Sequence, residues 1–430
     1  MTLLPILGLV LLALCLDSTV GFLQPHQPPH SNNRGAQRKC GSILGMLSVD
    51  EAMNMKEACG QAQGVLLDLT AGEWGLLSVT GEDRLRFLHN QLTNSFTDLK
   101  PGQVLESSYT SSTGRTIDLV TAYVLQDEVL LLSSPSRHEQ LLGAFNKYIF
   151  PLDRVEVQRR DLSGLFIWLG PASAAQTVLP QLLGNDDTLA PLPGPSQCQY
   201  CSSSSFSMVL AEGTGVALSG YTILALRARA ASIPAGDVAA HVGRGGMEEW
   251  QALRVLQGRP YPDKELTMDV TPLEAGLWHT VDLNKGCYLG QETLARQANN
   301  KGERQKLYAV RGKGLKERKR VIDAEGNRAG VITSCMNDMG LAYIRKTVLN
   351  PTTDMLFVDG EAQRIQVLDI PYATRAATFN KMTTPKEAAA AAAAVNTTAA
   401  DVAAEAERKA KKLEEMKRRL EAFQAKSRQT

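Results

Sequence analysis

The 430-residue chain has almost no net charge, no long apolar run and no cysteine framework. A formal charge of +1 supplies no global basic field, so only local basic patches remain and no stable nucleic-acid binding is expected. The most apolar stretch, Leu3–Leu16 ("LLPILGLVLLALCL"), runs for ~14 residues, short of the ~20 that a membrane-spanning helix needs. It suits a signal-peptide core, and no membrane span is expected in the mature protein. Seven cysteines are scattered (Cys15, Cys40, Cys59, Cys198, Cys201, Cys287, Cys335), and the first two lie in segments expected to be removed. That is not the pattern of a disulfide-stapled secreted domain and points to a reducing compartment. Cys198 and Cys201 have two-cysteine spacing, but no second Cys or His pair completes a four-ligand set, so no metal site is expected. His241 and His279 stand alone in sequence, and "GRGG" (Gly243–Gly246) lacks the strand–Gly-loop–Lys-Ser/Thr order of a phosphate loop.

After the apolar run come small residues, "STVG", and then Phe22. From Phe22 to Val49 there is no Asp or Glu, while Arg34, Arg38 and Lys39 are present, a transit-peptide composition. The tandem resembles the bipartite presequences of algae with secondary plastids, where Phe follows the signal cleavage site. Residues 1–21 are therefore read as a signal peptide and 22–52 as a transit segment. The expected destination is the plastid, with the mitochondrion or secretion as alternatives.

From "GVLLDLT" (Gly64–Thr70) the pattern becomes globular. In "TGEDRLRFLHNQLTNSF", Leu85, Leu88 and Leu92 form one helical face, with Thr80 and Asp83 as a candidate capping pair. "SSTGRTIDLVTAYVL" and "EVLLLSS" read as a hairpin across "QDE", and "RHEQLLGAFNKYI" as a helix. "GLFIWLGP" and "FSMVLAE" read as strands, and "LPGPSQCQYCSSSS" between them as a loop. "MEEWQALRVLQGRP" is a helix stopped by Gly258 and Pro260. "HTVDL" looks strand-like, and "QETLARQ" helical. Beyond about Lys301, short strands punctuated by "EGN" and "DG" turns suggest a small all-β barrel or sandwich. The expected class is α+β, with a domain over 60–300 and a β-barrel over 301–383. Residues 384–430 form an Ala-rich, charged tail, where Val402, Ala406, Lys409, Leu413, Met416, Leu420 and Phe423 mark a thin helical seam. That seam reads either as a coiled-coil partner helix or as a solvated one.

The most specific stretch is "NKGCYLGQET" (Asn284–Thr293). A thiol becomes reactive beside a cation or a helix N-terminus. Lys285 stands two residues before Cys287, and a helix is expected just after it. Gly286 and Gly290 permit a tight backbone and close approach of a ligand. Gln291 and Glu292 offer an amide and a carboxylate at the helix start, for a ligand or for the helix terminus itself. The residues alone leave Cys287 as either a functional thiol or a small buried hydrophobe in a turn. Asp118, in "TGRTIDLV", is a carboxylate in an apolar strand. It either points to solvent or faces a pocket, where it could accept the paired donors of a pterin. Arg115 could meet an anionic ligand tail or form a surface ion pair.

"VDLNKGCYLGQETLARQANNKGERQKLYAV" resembles the signature of the iron–sulfur cluster assembly branch of the folate-binding YgfZ/GcvT superfamily, which also holds the glycine-cleavage T-protein, an aminomethyltransferase. "GEDRLRFLHNQLTNSFTDLKPGQ", "ALRVLQGRPYPDKELTMDVTPLEAGL" and "DAEGNRAGVITSCMNDMGLAYI" are similar to its first, middle and closing blocks, and the likeness runs from about Gly64 to Tyr372. It implies folate-binding α+β subdomains around a central cavity, closed by a β-barrel. Lys285, Gly286, Cys287, Gly290, Gln291 and Glu292 match the assembly branch residue for residue. Asp118 falls where the aminomethyltransferases carry a catalytic aspartate near the reacting end of folate. That branch has two acids in tandem, and Ile117 occupies the other place here. In "GTGVALSGYTI", Val216 stands where its folate-binding glutamate would be.

The resemblance implies a tetrahydrofolate-binding protein that supports iron–sulfur cluster assembly, with Asp118 near the pterin and Cys287 facing the cavity or its mouth as a thiolate. Reduced folate and iron–sulfur assembly or client proteins are the implied partners, and a monomer is expected. The alternatives are a folate-dependent one-carbon (aminomethyl) transferase and a non-enzymatic interaction scaffold. The presequence reading predicts that residues 1–60 carry a fused fluorescent protein into plastids; a reticular or extracellular signal on imaging contradicts it.

Overall fold

A computed structural model describes residues 64–183, 191–202, 206–227, 242–299, 302–348 and 355–373. The presequence, the Ala-rich tail and His241 lie outside the described residues. In chain order the first half comprises β1 (Val65–Asp68), β2 (Gly75–Thr80), α1 (Arg84–Gln91), β3 (Val104–Thr110), β4 (Thr116–Val124), β5 (Glu128–Ser133), α2 (His138–Asn146) and β6 (Glu156–Arg160). There follow β7 (Gly164–Leu169), α3 (Ala172–Leu183), β8 (Cys198–Ser202), β9 (Ser207–Glu212), β10 (Gly220–Ala225), β11 (Gly243–Gly245), α4 (Met247–Gln257) and α5 (Gln291–Asn299). The last strands are β12 (Gln305–Arg311), β13 (Arg320–Ile322), β14 (Arg328–Met336), β15 (Met339–Arg345), β16 (Leu356–Val358) and β17 (Arg364–Leu368).

These strands make a five-stranded sheet, β3-β4-β5-β2-β6, a six-stranded sheet, β11-β1-β7-β10-β9-β8, and a closed barrel, β12-β15-β14-β13-β16-β17. Strand alternation explains the layering. Along β7, Leu165, Ile167 and Leu169 enter a core shared with Leu76, Leu130 and Leu132 of the other sheet. Phe166 and Trp168 enter the core beneath α3, with Val178 and Leu179. A strand covered on both faces reads as one apolar run. On the far face of the five-stranded sheet, Val120, Ala122 and Val124 pack with Phe87 and Leu88 of α1 and with Leu141 and Phe145 of α2. The two sheets thus face each other, with helices outside, and the barrel has its own core around Val310, Val321 and Ile344.

The β4–β5 hairpin, α2, α4 and the closed barrel form as the sequence pattern predicts. Three expectations need correction. Thr80 does not cap a helix: it ends β2, and α1 begins at Arg84 with no side-chain cap. "CQYCS" is not loop but the edge strand β8, whose ladder with β9 is set by the apolar partner despite the serine run it leads into. Cys198 and Cys201 therefore face different cores, and burial pushes the Cys198 thiol up to about 12. "HTVDL" is a 3-10 turn, Trp278–Thr280, followed by irregular backbone, because Thr280 and Asp282 bond to the turn after α1 instead of to a strand.

A buried ion pair joins α4 to the barrel. Arg254 donates to Glu265 (3.1 Å) and to the hydroxyl of Ser334 on β14 (2.9 Å), and Ser334 donates to Glu265 (2.7 Å). The backbone N–H of Tyr261 donates to the same carboxylate, and the Tyr343 hydroxyl donates to the Glu265 carbonyl. Gly258 ends α4 in the left-handed region (φ 79°), where a Cβ would come within 2.4 Å of Ile370. Removing one partner of such a pair leaves an uncompensated buried charge. Glu265→Gln is therefore expected to lower unfolding free energy by about 3–5 kcal/mol in urea titrations, with Arg254→Met/Glu265→Met recovering most of the loss.

Candidate functional site

A cavity of about 790 Å3 lies between the two sheets. Thr121, Tyr123 and Leu132 line it from one sheet, and Leu165, Ile167 and Thr222 from the other. Three of the chain's four tryptophans, Trp74, Trp250 and Trp278, also line it. Its polar centre is Glu106 on β3. One carboxylate oxygen accepts from Arg259 (3.0 Å); the other accepts from the Tyr372 hydroxyl (2.9 Å) and faces His279 Nε2 (3.0 Å). Arg259 also donates to the Gly215 carbonyl (2.6 Å) and lies 3.0 Å from the Tyr372 hydroxyl. Burial works against the Arg259 charge, but Tyr372 and Glu106 outweigh it and its pKa is raised. With Nε2 on a carboxylate, His279 presents Nδ1, which is buried and has no hydrogen-bond partner. The indole Nε1 atoms of Trp74 and Trp250 are likewise buried without one. Glu212 and Asp282 also line the cavity, so its walls carry three carboxylates against one guanidinium already paired.

The loop of the sequence signature is held beside this cavity. Asn284 is a lining residue; Cys287, three positions on, is exposed and off the wall. Gly290 takes φ 85°, and a Cβ there would meet the Ser111 carbonyl at 2.6 Å and the Gly114 backbone at 2.8 Å. That close approach seats the loop on the β3–β4 turn, as does the bond from Thr110 to the Leu289 carbonyl (2.7 Å). Arg115, on the same turn, donates to the Asp269 carbonyl (2.9 Å) and lies 4.0 Å from Glu274, so it is off the cavity wall. Gln291 donates to the Lys285 carbonyl (3.2 Å), and Glu292 pairs with Arg296 along α5. Gly286 has only His89 Nε2 near its open face, 3.9 Å from an added Cβ. The Lys285 ammonium is buried, donating to the carbonyls of His89, Leu92 and Asn94. Burial pulls it down to about 7, with the Asp282 charge opposing.

Asp118 is fully buried, but not against the cavity. It shares strand parity with Val120, Ala122 and Val124, which face α1 and α2, whereas Thr121 and Tyr123 face the cavity. Its carboxylate accepts from the backbone N–H of Leu119 (2.8 Å) and of Ser134 (3.2 Å), fastening β4 to the end of β5. Strand alternation thus sets Asp118 on the face of β4 opposite the residues that line this cavity. Glu106, Arg259 and Tyr372 are singled out by no sequence motif, and His279, which stands alone in sequence, joins them in space. The available signal was Glu106, a carboxylate inside the otherwise strand-like "VLESSYT".

No protein-family profile matches the chain. The Arabidopsis thaliana protein named "Putative transferase At1g60990, chloroplastic" is 33% identical over 322 residues, covering 72% of this chain and 72% of that protein. The chain belongs to the family of that putative transferase. An aminomethyltransferase of Rubrobacter xylanophilus is 26% identical over 279 residues, covering 63% of this chain and 73% of its own length. The GcvT-like fold is shared with the glycine cleavage system aminomethyltransferase T of Bartonella henselae, at a TM-score of 0.62 and 21% identity over 74% of this chain and 88% of that one. The facing sheets and closed barrel are this family's architecture.

Burial raises the Asp118 carboxyl from 3.8 to about 6, against its hydrogen bonds from Ser134 and Leu119. The native state therefore keeps a proton that the unfolded chain releases between those values. Asp118's contribution is full below about pH 4 and is lost as pH rises through about 6. Relative to Asp118→Asn, wild-type stability is expected to fall by about 3 kcal/mol between pH 4 and 7, then level off, in denaturant titrations across that range.

Proposed function

We propose that this protein binds a reduced folate, tetrahydrofolate or a derivative, in the cavity between the sheets and supports iron–sulfur cluster assembly or maintenance in a plastid. The observation that carries the folate reading is the chemistry of the cavity wall: aromatic faces, the carboxylates of Glu212 and Asp282 and a buried imidazole nitrogen, in a space of about 790 Å3. A flat ring bearing N–H donors fits that set. Glu212 would accept from a ring donor, His279 Nδ1 would face the ring's polar edge, and Trp74, Trp250 and Trp278 would flank the ring. A bound folate supplies a carrier for one-carbon units. Arg259 and Tyr372 hold Glu106 in place, and Asp118 acts from behind the wall by fixing β4.

The cluster-assembly role rests on the "KGCYLGQE" resemblance and on the exposure of Cys287. An exposed thiol on a loop seated beside the cavity mouth is accessible to a partner protein. The relative named chloroplastic and the acid-free stretch of residues 22–49 support the plastid. Relatives named aminomethyltransferases favour a second reading, aminomethyl transfer to folate. Against it stand Ile117, Val216 and the orientation of Asp118.

Calorimetry with tetrahydrofolate on the chain lacking residues 1–50 tests the folate reading. Glu212→Gln is expected to weaken binding roughly tenfold or more, the loss of a charge-assisted hydrogen bond. Asp118→Asn should change it less than about threefold. Cys287→Ala should leave folate affinity intact and lower cluster-enzyme activity in cells. Absence of folate binding by the wild type ends the folate reading, and full cluster-enzyme activity with Cys287→Ala ends the assembly role.

A further inference from the structure

The sequence suggests that Lys285 keeps Cys287 ionised; its surroundings suggest different work. We infer that Lys285 is the positioning residue of the cavity mouth, a clamp between the signature loop and the end of α1, and not the counter-ion of the thiol. The part of this inference that concerns ligand affinity rests on the reading of the cavity as a folate site.

An ammonium has three N–H donors and no more. Those of Lys285 go to the carbonyls of His89, Leu92 (2.6 Å) and Asn94 (2.7 Å), and the Tyr288 ring packs 4.7 Å from the nitrogen. The last carbonyls of a helix lack partners within it, and a cation there also meets the negative end of the helix dipole. Lys285 therefore terminates α1 from a point 193 residues further along the chain, as counted to Leu92. Cys287 lies at the exposed surface, and the buried ammonium has no donor left for it.

The same junction is sewn by other bonds. The Thr93 hydroxyl donates to the Thr280 carbonyl (2.6 Å), the Asn94 amide to the His279 carbonyl (3.1 Å), and the Asp282 backbone N–H to the Thr93 carbonyl (2.9 Å). Asn94, His279 and Asp282 all line the cavity. The lysine thus sits at the loop end of a seam whose other end is the cavity wall. Losing it frees residues 279–285, and with them the ring that faces Glu106.

Lys285→Met in the full-length protein tests this by hydrogen exchange, by tetrahydrofolate affinity and by peptide-resolved alkylation of Cys287 with iodoacetamide. Amides of residues 279–288 and 89–95 are expected to exchange about tenfold faster, with β14 and β15 unchanged. Folate affinity is expected to fall about tenfold, with Lys285→Arg restoring part of both effects. Alkylation of Cys287 is expected to be no slower than in the wild type. Unchanged exchange at the seam, or loosening that extends equally to the barrel, overturns the clamp. So does slower alkylation by about fivefold or more, which assigns the lysine to the thiol. Should Lys285→Met not fold, Lys285→Gln, which keeps two donors, is read by the same three measurements and criteria. A wild type that binds no folate refutes the cavity reading, while the exchange pattern still decides the clamp.

Discussion

The Glu106 carboxylate is the constraint on which the interior depends. It is a charge nearly withdrawn from solvent, and Arg259, Tyr372 and His279 converge on it and make it tolerable there. Those three groups come from the segment after α4, from the end of the described chain and from a 3-10 turn. Together they let strand β3 carry an acid toward the gap between the sheets. In turn, the acid fixes where those three segments lie. The cavity's walls are held by the hydrogen bonds of this polar centre, and the space between the sheets is not filled by side chains.

Much of this architecture is legible in the sequence because it follows from periodicity. The apolar run of β7, the spacing of α2 and α4 and the turn-punctuated strands of the barrel each report burial on one or two faces. What escapes reading is set by long-range partners. "CQYCS", which leads into a serine run, becomes a strand because β9 offers an unpaired edge, and "HTVDL" does not because Thr93 and Asn94 take its hydrogen-bonding groups.

The site divides along the same line. The tight backbone at Gly290 belongs to the motif and follows from its glycines, but what approaches it closely is the Gly114 backbone of the β3–β4 turn, which no local spacing reveals. The partners of Lys285 are equally hidden, since a lysine two residues from a cysteine looks the same whether it serves the thiol or a helix end. Asp118 was visible as an acid in an apolar strand, yet its face depends on register. One step along β4 separates the helix-covered side from the cavity side. Glu106 carried the same local signal and lies on the face that matters.

Tyr372 and Glu106 are 266 positions apart. During vectorial synthesis both sheets leave the ribosome well before the residue that completes the polar centre. The nascent two-sheet body therefore carries Glu106 and Arg259 with one hydroxyl missing until the barrel strands have followed. The segment carrying Tyr372 thus acts as a keystone, and a chain truncated or stalled before it has the walls of the cavity without its completed polar centre.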